Sequence, residues 1–210
     1  MKTLSPGSTI GVLGGGQLGR MLAIAAAELG FKTHVFCPDA DSPMDHVTSK
    51  ATHAYYEDKQ ALKKFAAQVD VVSYEFENIP VDTVKMISKI TNVFPNSKVL
   101  EVSQDRLSEK SFINGLGIET APFKGVSTLE EAKEGLKEIG YPAVLKTRRF
   151  GYDGKGQAIV KSADDLDAAW AALNSDQVII EGFIDFDMEL SVISARGQDG
   201  EIKCFAPVEN

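Results

Sequence analysis

The 210-residue chain has few cysteines, and those it has are poorly placed for a disulfide or metal framework. It contains 2 cysteines, Cys37 and Cys204, which lie far apart and show no C-x-x-C spacing. Disulfide scaffolds and zinc sites in short domains depend on several grouped cysteines, so the sequence predicts neither. Such sparse cysteine is typical of a reducing compartment, and we expect a cytoplasmic protein.

Long hydrophobic runs and positive charge are also scarce. No apolar stretch approaches the roughly 18 residues that a membrane span needs, and the first 16 residues lack the apolar segment of a signal peptide. Against 30 Asp and Glu stand 22 Lys and Arg, which gives a formal net charge of −8. An acidic chain binds nucleic acid and anionic membranes poorly, so we expect neither partner.

What the chain does contain is an alternation of strand-like and helix-like segments. Short apolar runs at 9–13, 33–36 and 69–74 alternate with amphipathic segments at 17–29 and 58–68. Strands separated by helix-length segments predict parallel β-α-β units. The pattern changes near residue 98, where helices and hairpin-like strands follow. The predicted fold class is therefore α/β, with a parallel-sheet domain first and an α+β unit after it.

A glycine-rich turn follows the first strand. The segment Gly14–Gly19 reads Gly-Gly-Gly-Gln-Leu-Gly and satisfies G-x-G-x-x-G, and Asp39 lies 20 residues beyond Gly19. Backbone N–H groups and the helix dipole of such a turn attract phosphate. The pattern leaves two interpretations open. In the first, the turn binds a phosphate-bearing ligand, for example a dinucleotide whose ribose contacts Asp39. In the second, the glycines are needed for packing alone.

A more specific segment, Lys146–Gln157, reads Lys-Thr-Arg-Arg-Phe-Gly-Tyr-Asp-Gly-Lys-Gly-Gln. Four of its twelve residues are basic and one is acidic, with glycines at 151, 154 and 156. Strand-like segments precede and follow it, which predicts a glycine-rich hairpin loop. The backbone N–H groups and lysine ammonium groups of such a loop can converge on a triphosphate and bind it. The alternative is a solvated basic loop.

Taken together, these segments resemble the ATP-grasp superfamily. Within it the chain is similar to the 5-(carboxyamino)imidazole ribonucleotide synthases, a family of ATP-dependent carboxylases in bacterial and fungal purine synthesis. The motifs that carry the resemblance are Gly14–Met21, Tyr74–Pro80, Asp105-Arg106, Gly151–Gln157 and Val178–Ile184. The resemblance implies a Rossmann-like preATP-grasp domain at 1–97, a first ATP-grasp subdomain at 98–184, and the incomplete start of a second subdomain at 185–210.

The resemblance also implies a reaction. Bicarbonate attacks the γ-phosphate of ATP to give carboxyphosphate, and the amine of aminoimidazole ribonucleotide then takes up the carboxyl group, leaving ADP and phosphate. ATP and Mg²⁺ are the implied cofactors, with the magnesium ligands expected beyond Asn210, so the 210 residues are expected to be catalytically incomplete. The implied partners are the ribonucleotide and bicarbonate, and a homodimer is expected as well.

Individual site residues follow from the same resemblance. Tyr152 and Asp153 are the implied catalytic residues. The implied substrate-binding residues are Gly16, Gln17, Leu18 and Glu75. The implied ATP contacts are Arg106, Lys146, Gly151, Tyr152, Asp153, Gly154, Lys155, Gly156, Gln157, Glu181, Gly182, Phe183, Ile184 and Glu189. Among them, Lys146 would contact phosphate, Glu181 to Phe183 the adenine edge, and Glu189 the ribose.

Two residues near the second motif, Glu75 and Glu77, alternate along the chain, so in an extended segment at most one would face the site. Other functions also stay open. One is a different ATP-grasp ligase, either biotin carboxylase-like or formate-dependent. Another is an NAD-dependent oxidoreductase built on the glycine turn, which leaves the basic loop without a role. The third is a non-catalytic nucleotide-binding fragment. No metal ligand is assigned, because His34, His46 and His53 show no metal-type spacing.

Overall fold

The computed structural model describes residues 3–151 and 155–210, and the chain divides into two compact units. The first unit combines Leu4–Thr120 with the described part of Thr147–Gly156. The second unit combines Ala121–Lys146 with Gln157–Asn210. The basic loop thus belongs to a different unit from the strands on either side of it. The three domain bounds at 97, 184 and 210 stay a prediction.

The first unit is built on a parallel sheet. Its strands are β1 (Thr9–Leu13), β2 (Lys32–Cys37), β3 (Lys50–His53) and β4 (Val71–Tyr74), and its helices are α1 (Gln17–Glu28), α2 (Lys59–Ala66), α3 (Val81–Ile87), α4 (Ser97–Ser103) and α5 (Arg106–Gly115). The strand order is β3-β2-β1-β4, and all three pairings are parallel, as predicted. The strand order reverses between β1 and β4. Ligands of open α/β sheets bind at this position, beyond the carboxyl ends of the strands.

Alternation along the central strands explains how both faces of this sheet are covered. Val12 and Leu13 are successive residues of β1, and both are fully buried. Val12 packs with Ala23 of α1, whereas Leu13 packs in a separate cluster with Phe65 of α2. Because successive side chains point to opposite faces, a strand buried on both faces is apolar throughout.

One strand of the sheet, β3, has no such signal in the sequence. Its residues are Lys-Ala-Thr-His, and all four are exposed or half-buried. It lies at the sheet edge and pairs only with β2 among the described residues. The ladder to β2 therefore determines this strand, and hydrophobic periodicity did not reveal it.

The second unit holds a separate four-stranded sheet. Its strands are β5 (Phe123–Val126), β6 (Ala143–Thr147), β7 (Gln157–Val160) and β8 (Val178–Gly182), and its helices are α6 (Leu129–Ile139) and α7 (Leu166–Leu173). The order is β5-β8-β6-β7, with antiparallel pairing of β5 with β8 and of β6 with β7. One apolar core joins the sheet to both helices. This confirms the predicted α+β unit.

The last part of the second unit is a set of short strands. These are β9 (Leu190–Ser191), β10 (Ser194–Arg196), β11 (Ile202–Cys204) and β12 (Val208–Glu209). They form two antiparallel pairs, β10 with β11 and β9 with β12, and all their residues are exposed. In the part of the chain that the structure describes, every helix is too short or too polar to cross a membrane.

Replacing Gly11 of β1 tests the packing of the parallel sheet. A Cβ at Gly11 would lie 2.7 Å from Cζ of Phe65, which is 1% exposed. We expect Gly11→Ala to lower the free energy of unfolding by about 1–3 kcal/mol, because the ring has no free space to enter. Urea denaturation measures the change. The control is Gly115→Ala at the end of α5, where a Cβ meets no atom within 4 Å. Equal destabilisation by the two variants would contradict the packing argument.

Candidate functional site

The glycine turn closes on an acidic side chain. Glu75 directly follows β4, the neighbour of β1 in the sheet. Its Oε1 accepts a hydrogen bond from Gly16 N–H at 2.7 Å, and its Oε2 accepts one from Gly19 N–H at 3.0 Å. The N-cap of α1 is Gly16, which has no side chain to cap the helix. Glu75 therefore supplies the acceptor and the negative charge that a helix N-terminus favours.

The same carboxylate explains why glycines are needed in the turn. A Cβ at Gly14 would lie 2.5 Å from Cγ of Glu75, and one at Gly16 would lie 2.8 Å from Oε1. Gly14 also has a φ of +101°, which L side chains rarely adopt. The packing of Glu75 thus accounts for these glycines, and the motif by itself is no proof of a ligand.

A cavity of about 430 Å³ lies beside the turn. Its lining includes Gly14–Gly16, Asp39, Tyr56 and Glu75. The pyrophosphate of a dinucleotide would need the N–H groups of Gly16 and Gly19, which already donate to Glu75. The geometry therefore disfavours the oxidoreductase interpretation, although Asp39 lines the cavity as that interpretation expects.

Arg106 anchors the start of the basic loop in the first unit. It is the first residue of α5, and its Nη1 donates to the carbonyl oxygen of Thr147 at 2.8 Å. Its Nη2 donates to the carbonyl oxygen of Gly151 at 2.9 Å. A Cβ at Gly151 would lie 2.8 Å from Nη1, so a side chain there would displace the guanidinium. Two predicted ATP contacts, Arg106 and Gly151, are thereby brought together.

Asp105 holds the next residue of the loop. Its carboxylate caps α5 by accepting from the N–H groups of Leu107 and Ser108, both at 3.0 Å. The same group pairs with Arg148, whose Nη2 lies 2.7 Å from Oδ2. Burial by itself would raise the pKa of Asp105, but the hydrogen bonds from Arg148 and Ser108 outweigh it and hold the pKa below its usual value.

Arg149 completes this arginine cluster. Its Nη2 donates to Oε1 of Gln104 at 2.8 Å, while its buried Nε has no partner among the described residues. A cavity of about 330 Å³ adjoins the cluster, with Glu77, Arg106 and Arg149 in its lining. Gln104, Asp105 and Arg149 were not assigned from the sequence, because side chains of different helices and loops meet here.

The two acids of the Tyr74–Pro80 motif line different cavities. Glu75 lines the cavity at the glycine turn, and Glu77 lines the cavity at the arginine cluster. Of the two, only Glu75 lines the cavity at the glycine turn, and a role for either acid in binding a ligand stays a prediction.

The predicted phosphate-binding lysine lies in the second unit. Lys146 Nζ is 2.8 Å from Oε2 of Glu181, on the adjacent strand β8. The Glu181 side chain is 8% exposed, whereas that of Lys146 is 25% exposed. The ammonium is thus held in place by a buried carboxylate and can still be reached from solvent.

The segment after β8 is tied to the same unit. The N–H of Gly182 donates to the carbonyl of Pro122, and the N–H of Phe183 donates to that of Pro142. The side chains of Phe183 and Ile184 are exposed, as is Glu189 just before β9. Such exposed apolar side chains beside Glu181 are compatible with the predicted adenine contact.

The remaining predicted site residues are placed as follows. Gln17 and Leu18 are exposed in the first turn of α1, Lys155 is exposed in the loop, and Gln157 is exposed as the first residue of β7. Gly156 has a φ of +68°, and its carbonyl accepts from Thr147 N–H at 2.8 Å. Tyr152, Asp153 and Gly154 lie outside the described residues. All the assigned binding and catalytic roles stay predictions.

Two family models match the chain in succession. The ribonucleotide synthetase preATP-grasp domain matches residues 7–104, and the ATP-grasp domain matches residues 111–210. The chain belongs to the ATP-grasp superfamily. The parallel sheet lies in the residues that match the preATP-grasp model, and the antiparallel sheet lies in those that match the ATP-grasp model.

Known ATP-grasp proteins align with nearly the whole chain. An N5-carboxyaminoimidazole ribonucleotide synthase of Brucella melitensis is 46% identical over 99% of this chain and 58% of its own length. The crystal structure of an N5-carboxyaminoimidazole ribonucleotide synthetase in complex with ADP has a TM-score of 0.94 at 40% identity, covering 99% of this chain and 55% of that one.

A third ATP-grasp protein was solved with both ligands. The N5-carboxyaminoimidazole synthase of Aspergillus clavatus, in complex with ADP and 5-aminoimidazole ribonucleotide, has a TM-score of 0.87 at 27% identity. The match covers 97% of this chain and 54% of that one. The chain spans about half the length of the curated relatives it matches.

Asp105 generates a pH-dependent prediction. Because its folded-state pKa is lowered, its pairing stabilises the fold above the unfolded pKa of about 3.9 and is lost as pH falls through the folded value. We expect Asp105→Asn, which keeps an acceptor for the cap, to unfold more easily than native at pH 7. This deficit should shrink towards pH 3. Urea midpoints across that range measure it.

The control for Asp105 is Asp82→Asn, at an exposed acid in the first turn of α3. Its effect on the urea midpoint at pH 7 should be smaller than that of Asp105→Asn. A deficit of Asp105→Asn that stays constant from pH 7 to pH 3 would show that the Arg148 pairing contributes nothing.

Proposed function

We propose that this chain contributes the ATP and aminoimidazole ribonucleotide sites of an ATP-dependent carboxylase of de novo purine biosynthesis. The observation that carries the proposal is the anchoring of the loop by Arg106, which joins Thr147 to Gly151. This contact links two motifs that were assigned to ATP separately. The similarity to synthases solved with ADP and with aminoimidazole ribonucleotide supports the same assignment.

In this proposal Lys146 neutralises phosphate charge on ATP. The ammonium pairs with Glu181 and is partly exposed. An incoming phosphate oxygen can therefore bind the ammonium in place of the Glu181 carboxylate or together with it. Phosphoryl transfer depends mainly on positioning and charge stabilisation, which a fixed ammonium supplies. The exposed segment from Phe183 to Glu189, in the same unit as Lys146, would contact the adenine and the ribose.

The reaction has two steps. An oxygen of bicarbonate attacks the γ-phosphorus, the bond to the β-phosphate oxygen breaks, and ADP leaves with that electron pair. The exocyclic amine then attacks the carboxyl carbon of carboxyphosphate, phosphate leaves, and the amine loses one proton. We assign the amine contact and that proton to Asp153, with Tyr152 beside it in the loop.

Glu75 and the glycine turn would hold the ribonucleotide. The carboxylate uses one lone pair on each oxygen for Gly16 and Gly19, which leaves acceptor capacity for a ribose hydroxyl. The exposed first turn at Gln17 and Leu18 would contact the phosphate. A cavity of about 430 Å³ lies in the range typical of small-molecule sites.

Magnesium belongs to the proposed reaction, but the described residues do not fit a magnesium site beside Lys146. Glu181, the carboxylate paired with this lysine, is nearly buried. Mg²⁺ requires several oxygen ligands in octahedral geometry. A single, nearly buried carboxylate does not supply such a set of ligands.

A cytoplasmic homodimer is the remaining part of the proposal. The sparse, widely spaced cysteines support the compartment. An apolar groove of about 360 Å³ on the first unit supports an assembly, since Val99 and Phe112 in its lining are half exposed.

Replacing Lys146 tests the ATP site. We expect Lys146→Gln to raise the Kd for ATP about 10- to 100-fold, because one charge-assisted contact to phosphate is lost. Isothermal titration measures the Kd, and circular dichroism checks that the variant folds with Glu181 unpaired. The control is Lys137→Gln, at an exposed lysine of α6 that pairs with Glu134. An unchanged Kd in Lys146→Gln would remove this lysine from the site.

The carboxylase assignment itself is tested with a protein that contains this chain and is as long as the relatives. ADP formation should require both bicarbonate and aminoimidazole ribonucleotide. Turnover with formate in place of bicarbonate, or with biotin as the acceptor, would assign a different ATP-grasp ligase.

Replacing Glu75 tests the ribonucleotide site. We expect Glu75→Gln to raise the Kd for aminoimidazole ribonucleotide about tenfold, because the variant loses the negative charge that orients the turn and one strong acceptor. NADH should not bind the native chain. Glu77→Gln, two residues along and in the other cavity, is the control and should leave the Kd unchanged. Micromolar NADH binding by the native chain would restore the oxidoreductase interpretation.

A further inference from the structure

Three side chains in the first unit converge near the ends of β2 and β3, and one of them also lines the cavity beside the glycine turn. Cys37 and His53 are the last residues of β2 and β3, and they are register partners in the parallel ladder. Asp45 lies in the connection between these two strands. The Cys37 Sγ, one Asp45 carboxylate oxygen and one His53 ring nitrogen all lie within 4.8 Å of one another.

The two oxygens of the Asp45 carboxylate differ in their hydrogen bonding. Its Oδ2 accepts a hydrogen bond from Ser42 N–H at 2.7 Å, and the Asp45 N–H donates back to the Ser42 carbonyl at 2.9 Å. Its Oδ1 is buried and has no hydrogen-bond partner among the described residues. Buried carboxylate oxygens without a partner are costly, so this atom calls for an explanation.

The nearest candidate partner for Oδ1 is His53, whose Nε2 lies 3.7 Å away. That separation is too long for a good N–H···O hydrogen bond. It is close to the spacing of a nitrogen and an oxygen ligand on one tetrahedral zinc ion, which is about 3.3–3.6 Å for bonds of about 2.0–2.2 Å. The distance therefore matches shared coordination better than direct bonding.

We propose that Cys37, Asp45 and His53 form a site for a divalent transition metal of the zinc type, through Sγ, Oδ1 and Nε2. A thiolate, an imidazole and a carboxylate are the zinc ligands of proteins, and magnesium does not select sulfur. Binding breaks the Cys37 S–H bond, and the proton passes to solvent as the Zn–S bond forms. Three protein ligands leave a fourth position for water.

The other contacts of these side chains are compatible with this assignment. The Cys37 thiol donates to the Asp39 carbonyl at 3.2 Å and to the Ser42 hydroxyl at 3.7 Å, and metal binding would replace both weak bonds. Cys37 is 2% exposed, whereas the side chain of His53 is 37% exposed. The metal can therefore enter from the His53 side while the sulfur stays protected.

The experiment titrates the native chain with Co²⁺ as a spectroscopic probe and with Zn²⁺ in competition. We expect a thiolate-to-cobalt charge-transfer band in the near ultraviolet, which Zn²⁺ abolishes. Cys37→Ser should remove the band. His53→Gln, at an exposed position where folding is not at risk, should raise the Kd for Zn²⁺ at least tenfold. Zinc should also raise the midpoint of thermal unfolding.

The controls are the residues of the same types elsewhere in the chain. Cys204 is an exposed free cysteine, and His46 hydrogen-bonds Asp41 at the surface. Cys204→Ser and His46→Gln should leave the band and the Kd unchanged. Absence of a charge-transfer band, or equal zinc affinity in native and His53→Gln chains, would overturn the proposal. The charge-transfer band reports metal binding itself and not the binding of ATP or of the ribonucleotide.

Discussion

The carboxylate of Glu75 is the interaction on which the glycine turn of the first unit depends. It reaches from the end of β4 to the start of α1 and accepts the N–H groups of Gly16 and Gly19. The helix N-terminus is thereby stabilised by a charge that belongs to the protein. In other folds such a turn binds a pyrophosphate. Here the Glu75 carboxylate occupies part of that position, so a ligand would have to bind beside this acid.

A second constraint positions the basic loop. Asp105 is the N-cap of α5, and Arg106 is the first residue of that helix. Asp105 caps the helix and pairs with Arg148, while Arg106 donates to the carbonyls of Thr147 and Gly151. The start of a helix and the start of a loop are thus linked by charge-assisted hydrogen bonds, which are stronger than neutral ones. The start of the loop is therefore held in a fixed backbone position.

Much of this architecture could be predicted from the residues, because it rests on local signals. The apolar run of β1 and the glycines after it predicted a strand and a helix, and both are present. The change of pattern near residue 98 predicted a second kind of sheet, and the antiparallel pairs confirm it. The edge strand β3 was not predicted, since its four residues are polar and only pairing with β2 orders them.

The sequence by itself determined the fold class, the order of the two modules and the basic loop, because periodicity, glycine spacing and charge are local properties of a chain. Only the tertiary structure decided what those residues contact. Glu75 is 59 positions from Gly16, Arg106 is 45 from Gly151, and Cys37 is 16 from His53. Contacts of this range depend on strand order and register. A parallel sheet brings the carboxyl ends of its strands to one edge whatever their separation along the chain.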